Sequence, residues 1–151
     1  MMGNFYVNLW FLDEKLGAVD LKLNVTKESR DILWGKTKKS FQYVWEHHRE
    51  DADWFMKADD DTYVVVENLK AMLKDVDPKA PVFYGARYDW QGFKDGYMSG
   101  GSGYVLSKEA LRRFIQDGLP DSSKCEPRDE FKNAQEDMEM GIQKITVLKI
   151  I

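Results

Sequence analysis

Three consecutive aspartates, Asp59, Asp60 and Asp61, follow the apolar run Trp54-Phe55-Met56, with Lys57 and Ala58 between. Adjacent carboxylates repel one another, so a folded site keeps them ionised only beside a compensating cation or strong hydrogen-bond donors. Their oxygens suit hard divalent ions such as Mg²⁺ or Mn²⁺. At the C-terminal end of a strand in an α/β sheet they would lie where such sheets bind ligands. Two readings stand side by side: a metal bridge to a phosphorylated substrate, or an acidic turn open to water. Neighbouring residues exclude two other chemistries. An Asp-x-Asp phosphoryl-transfer site wants Thr or Val two positions after its second Asp, where Tyr63 stands and Thr62 is one short. A calcium loop needs Gly at its sixth position, occupied here by Val64.

Other reactive residue types are sparse. Cys125 is the only cysteine, which rules out an internal disulfide and a cysteine zinc site and predicts a buried, idle thiol. His47 and His48 are neighbours on a predicted helix, roughly 100° apart around its axis, so they do not share a metal. The glycines of Tyr97-Met98-Ser99-Gly100-Gly101-Ser102-Gly103-Tyr104-Val105-Leu106 admit either a close ligand approach or a plain hairpin reversal. Their spacing matches neither a P-loop nor a dinucleotide fingerprint. A second acidic turn, Glu136-Asp137, lies late in the chain.

The elements that must position these residues follow from periodicity. Phe5, Val7, Leu9 and Phe11 alternate like a strand, and Leu21 and Leu23 suggest another that ends at Asn24. Asn24-Val25-Thr26 is a glycosylation sequon, meaningful only in the secretory pathway. Thr26 or Ser29 is the expected cap of a helix to about His48, with Trp34, Phe41, Val44 and Trp45 inward and Lys36, Lys38 and Lys39 on a solvated face. A strand at 54–58 follows, then a helix from Val64 to Val76 with Leu69, Met72 and Leu73 on its core side, then a buried strand Val82–Gly85. This order favours a parallel α/β arrangement. Ser107 caps a helix burying Ala110, Leu111, Phe114 and Ile115. The acidic turn enters a last helix or strand.

At 151 residues the chain suits one domain that buries roughly two thirds of its unfolded surface. A hydrophobic content of 43% marks it as globular. The net charge of −4 argues against non-specific nucleic-acid binding, which needs a basic footprint. It also means that an anionic substrate needs a metal or local cations. The longest apolar run, Phe5 to Leu12, is too short for a transmembrane helix, and no secretory signal is evident.

Several segments together resemble the inverting β1,3-glycosyltransferases, above all the core 1 β1,3-galactosyltransferase family. They are Trp34-Gly35-Lys36-Thr37 with Phe41-Gln42-Tyr43-Val44, the stretch from Ala52 to Tyr63, and the stretch from Gly96 to Leu111, with Glu136-Asp137 and Gly141 similar to that family's Glu-Asp turn. The resemblance spans roughly residues 20 to 142. It implies a nucleotide-diphospho-sugar transferase (GT-A-like) α/β fold over residues 21–151, incomplete at both ends, with residues 1–20 undetermined. It implies Mn²⁺ held by Asp59, Asp60 and Asp61, transfer of galactose from UDP-galactose to the 3-hydroxyl of GalNAc on a glycoprotein, and a type II protein on the lumenal side of the Golgi membrane, compatible with a homodimer. Asp137 matches the catalytic base, with Glu136 as its substitute. Asp60, Trp34, Tyr104, Gly100 and Gly101 are expected around the donor or acceptor. The family's anchor and stem, its first strand–helix unit and a metal-binding histidine beyond the Glu-Asp turn find no match here. A shortened or non-catalytic relative serving an active transferase as partner or chaperone is the alternative; the intact triplet favours an enzyme lineage.

Overall fold

A computed structural model describes residues 5–8, 29–89, 96–129, 135–142 and 149–150. The expected strand at Leu21–Leu23, the Asn24 sequon and the Thr26 cap lie outside these residues. The elements run β1 (Phe5–Asn8), α1 (Leu33–His48, entered through a 3-10 turn at Arg30–Ile32), β2 (Trp54–Lys57), α2 (Val66–Leu73), β3 (Val82–Gly85), β4 (Arg87–Tyr88), β5 (Tyr97–Met98), β6 (Tyr104–Ser107), α3 (Lys108–Arg113, continued by a π turn Phe114–Gly118), α4 (Glu136–Ile142) and β7 (Lys149–Ile150).

The main sheet has the order β1-β2-β6-β3-β7. β1 runs parallel to β2 and β7 parallel to β3, while β6 is antiparallel to both of its neighbours. The expected parallel arrangement is therefore corrected to a mixed sheet. β2 and β3 do point the same way, but β6 lies between them. The glycine turn at 100–103 is not a hairpin either: β5 pairs with β4 in a separate two-stranded sheet, and β6 joins the main one.

Strand alternation sorts the apolar residues onto two faces. Phe55, Phe83 and Leu106 pack with Trp34, Phe41 and Val44 of α1, Leu111 of α3, Phe114 of its π turn and Met140 of α4. Trp54, Met56, Val82 and Val105 pack on the opposite face with Leu73, Leu69 and Val76. Helices on both sides thus cover an α/β sheet. By the same alternation Lys57 and Tyr104, two positions from Phe55 and Leu106, belong to the first face, which α4 covers.

Ser107 performs the capping expected of it. Its hydroxyl accepts the Ala110 N–H at 3.1 Å and the Val82 N–H at 3.0 Å and donates to the Ala80 carbonyl at 2.6 Å, tying α3 to β3. Ser29 stands before the 3-10 turn without a side-chain cap bond. Two expectations fail on burial. Met72 is 52% exposed, not core. Lys38 is buried: its ammonium donates to the carbonyls of Glu126, Pro127 and Arg128 at 3.3, 3.0 and 3.1 Å and pairs with Asp129 at 2.9 Å.

Candidate functional site

The sheet ends on one side at the C-termini of β2 and β3, where Lys57 and Gly85 both lie opposite Tyr104, the first residue of β6. Chain that leaves β2 there must enter a turn, and that turn is the aspartate triplet. The Thr62 amide donates to the Asp59 carbonyl at 3.1 Å, the Asp59 amide to the Thr62 hydroxyl at 3.1 Å, and that hydroxyl to the Gly101 carbonyl at 2.9 Å. The triplet is thereby stitched to the glycine turn.

Lys57 is the centre of the arrangement. Its Nζ lies 2.6 Å from Asp59 Oδ1 and 2.6 Å from Glu136 Oε1. The other Glu136 oxygen accepts the Tyr104 hydroxyl at 2.9 Å and the Thr37 hydroxyl at 3.4 Å. Burial works against the charge on Lys57, yet Glu136 and Asp59 outweigh it and hold the ammonium above the ordinary lysine range. Burial, reinforced by Glu136, raises the Tyr104 phenol well above its usual value, so it remains a donor. The next residue, Asp137, accepts the Gly100 N–H at 3.0 Å on one oxygen and the Met138 N–H at 2.8 Å on the other.

Two glycines are required by this packing. Gly103 has φ +70°, and a Cβ there would stand 2.7 Å from Met56 Cε. A Cβ on Gly100 would stand 2.6 Å from Glu136 Oε1 and 3.3 Å from Lys57 Nζ. Gly101 faces open space, with nothing within 4 Å of such a Cβ.

The expected site residues therefore divide. Asp59, Gly100, Tyr104, Glu136 and Asp137 come together. Gly101 joins through its carbonyl, and Asp60 and Asp61 are exposed beside it on the same turn. Trp34 does not join them. It is fully buried, donates its indole N–H to the Glu126 carbonyl at 2.9 Å and packs against Phe114, so it offers no surface to a ligand. Tyr104 is likewise buried and reaches the site only through its hydroxyl. Cys125 is a buried thiol raised to about 11 by burial, as expected of an idle cysteine. Sequence reasoning missed Lys57, although a lysine closing an otherwise apolar strand and abutting an acidic triplet was a signal.

Among the described residues no three His, Cys, Asp or Glu side chains converge into a metal cage. The donor set nevertheless fits a hard divalent ion, because Mg²⁺-type sites use one or two carboxylates and take the remaining oxygens from water and substrate phosphates. One or two carboxylates of the Asp59–Asp61 triplet would hold it.

Residues 23–150 match a family described as Fringe-like. The glycoprotein-N-acetylgalactosamine 3-beta-galactosyltransferase 1 of Xenopus laevis is 45% identical over 104 residues, 69% of this chain and 28% of that protein. A beta-1,3-glucosyltransferase of Mus musculus is 34% identical over 111 residues, 72% of this chain and 21% of that protein. Chondroitin sulfate synthase 3 of Homo sapiens is 30% identical over 123 residues, 74% of this chain and 13% of that protein. The chain thus spans less than a third of the length of these curated relatives.

Proposed function

The chain belongs to the Fringe-like family, and from that premise we propose that it forms part of a β1,3-glycosyltransferase site, moving galactose from UDP-galactose to the 3-hydroxyl of GalNAc on a glycoprotein Ser or Thr, with inversion. Galactose as the donor sugar is supported by the similarity to the Xenopus laevis protein; the glucosyltransferase relative makes UDP-glucose its competitor. One observation carries the reading. The ion chain Asp59–Lys57–Glu136 sets the acidic triplet against the Glu136-Asp137 turn, across 79 residues of sequence from Lys57 to Glu136.

Inversion in one displacement needs a base on the face of the anomeric carbon opposite the departing diphosphate, taking the acceptor hydroxyl's proton as its oxygen attacks. Asp137 is that base. The N–H groups of Gly100 and Met138 orient its carboxylate, which keeps lone pairs for a proton. Glu136 is a poorer choice, since both of its oxygens are engaged by Lys57, Tyr104 and Thr37. Carboxylates of Asp59, Asp60 and Asp61 would hold a divalent ion, Mn²⁺ on family grounds, which would supply Lewis-acid stabilisation of the leaving UDP. The Gly101 surface, open beside the triplet, leaves room for the substrate.

The reading carries with it a lumenal Golgi location and a membrane anchor. Among the described residues no helix is long and apolar enough to cross a membrane. The deciding assay follows labelled UDP-galactose and UDP-glucose with Mn²⁺ and a GalNAc-threonine peptide. Transfer from UDP-galactose, reduced about a thousandfold in Asp137→Asn, is expected; full transfer by that variant removes Asp137 from the role. The engagement of Asp59 by Lys57 favours one second reading, a non-catalytic partner of an active transferase. Absent transfer and Mn²⁺ binding, with increased yield of an active co-expressed transferase, selects it.

A further inference from the structure

Lys57 has two carboxylate partners, and they are not equivalent. The Glu136 side chain is 6% exposed and that of Asp59 39% exposed. Water competes with the ammonium for Asp59 but hardly for Glu136. Glu136 is also fixed from behind by the hydroxyls of Tyr104 and Thr37, and the Tyr104 ring lies 5.8 Å from the ammonium. A buried ammonium needs one anionic partner to remain charged, and Glu136 supplies it. Asp59 is the partner Lys57 can release.

We infer that Lys57 is a positioning residue that stands in for the divalent cation at Asp59, keeps the triplet turn formed without metal, and gives Asp59 up when the cation arrives. The inference rests on the metal reading of the triplet given above. Three adjacent carboxylates repel one another, and the Lys57 contact relieves that repulsion at Asp59 without filling the exposed positions of Asp60 and Asp61. The same contact opposes cation binding, since the ion must take a carboxylate already neutralised. Cation retention then depends on the diphosphate oxygens that arrive with the donor, so metal and nucleotide enter and leave together.

The test is Mn²⁺ binding by calorimetry to the whole chain and to Lys57→Met, with and without UDP. Removing one positive charge beside a cation site is expected to tighten Mn²⁺ binding about tenfold or more without UDP, and to shrink the gain in Mn²⁺ affinity that UDP gives. Lys57→Arg, which keeps the charge, is expected to stay within about threefold of the unaltered chain. A lysine that only braced the turn would give the opposite sign, weaker binding in Lys57→Met. Equal or weaker binding in that variant therefore overturns the inference alone. No Mn²⁺ binding by either protein, with or without UDP, overturns the metal reading and the inference with it. Should Lys57→Met fail to fold, the ¹⁵N signal of the Lys57 ammonium in the unaltered chain, titrated with Mg²⁺, decides. A saturating shift supports exchange of Asp59 between the two cations, and a motionless signal while the Asp60 and Asp61 amides shift refutes it.

Discussion

Lys38 and Lys57 are both buried to 7% exposure, and the chain satisfies them in opposite ways. Lys38 spends its three protons largely on main chain, holding the carbonyls of Glu126, Pro127 and Arg128 and adding a half-exposed carboxylate at Asp129. It fastens a loop to α1, over the Trp34 ring. Lys57 instead lies between two carboxylates from distant segments. Carbonyl dipoles cannot be exchanged for anything without unravelling the loop, whereas a carboxylate with an exposed oxygen can change partners. Burial of a charge therefore does not reveal its task; the mobility of what neutralises it does.

The largest expected effect breaks the Lys57 side of this contrast. Lys57→Met strands Glu136 as a buried charge and should cost about 3–5 kcal/mol of unfolding free energy in urea. Adding Glu136→Met in the same chain should return much of that loss, because neither charge then remains, and a double variant no more stable than the single one would refute the pairing. Lys38→Met deprives carbonyls that a loop can partly turn to water. It should cost about 1–3 kcal/mol, with faster proteolysis near residues 126–129 and unchanged Mn²⁺ affinity. Altered metal binding there would erase the distinction between the two lysines.

Neighbouring glycines of the 100–103 turn differ in what surrounds them. Gly100→Ala pushes a methyl against the Lys57–Glu136 pair and should cost about 1–3 kcal/mol, while Gly101→Ala, facing open space, should stay within about 0.5 kcal/mol by the same melts. The smallest effect belongs to a partly buried surface carboxylate, 22% exposed. Hydrogen bonds from Arg112 and Arg113, against a burial effect of opposite sign, hold Glu109 at about 2 rather than the ordinary 4.5. A carboxyl depressed on folding stabilises the native state above its unfolded pKa and loses that contribution as pH falls toward the folded one. Glu109→Gln should therefore lower stability at neutral pH slightly and match the unaltered chain near pH 2, read from urea midpoints across that range.

Much of this was legible from residue types. The apolar strand before the triplet, the strand at Val82–Gly85 and the Ser107 cap follow from alternation and capping chemistry, which act locally. Strand order does not: nothing in Tyr104–Ser107 says that it inserts between β2 and β3, and so a hairpin stood beside ligand approach as a reading of the glycine turn. Lys38 was legible in principle, since it stands four residues after Trp34 and three before Phe41 on the buried stripe of α1, but its charge argued for solvent. Its satisfaction by carbonyls some ninety residues away is invisible to any local pattern. Trp34 shows the complementary limit: a large ring in a family-like segment serves the core just as readily, and this one is fully buried.

The threading of β6 between β2 and β3 also bears on how the sheet is assembled. During synthesis those two strands emerge long before the segment that bridges them, and neither can complete its main-chain pairing until residues 104–107 follow. For that interval the nascent chain presents Trp54–Lys57 and Val82–Gly85 as open edges, the state in which strands pair wrongly or recruit another molecule. The lysine that closes the first of these segments, charged and still without its late carboxylate partner, is the kind of residue that keeps such an edge from sticking.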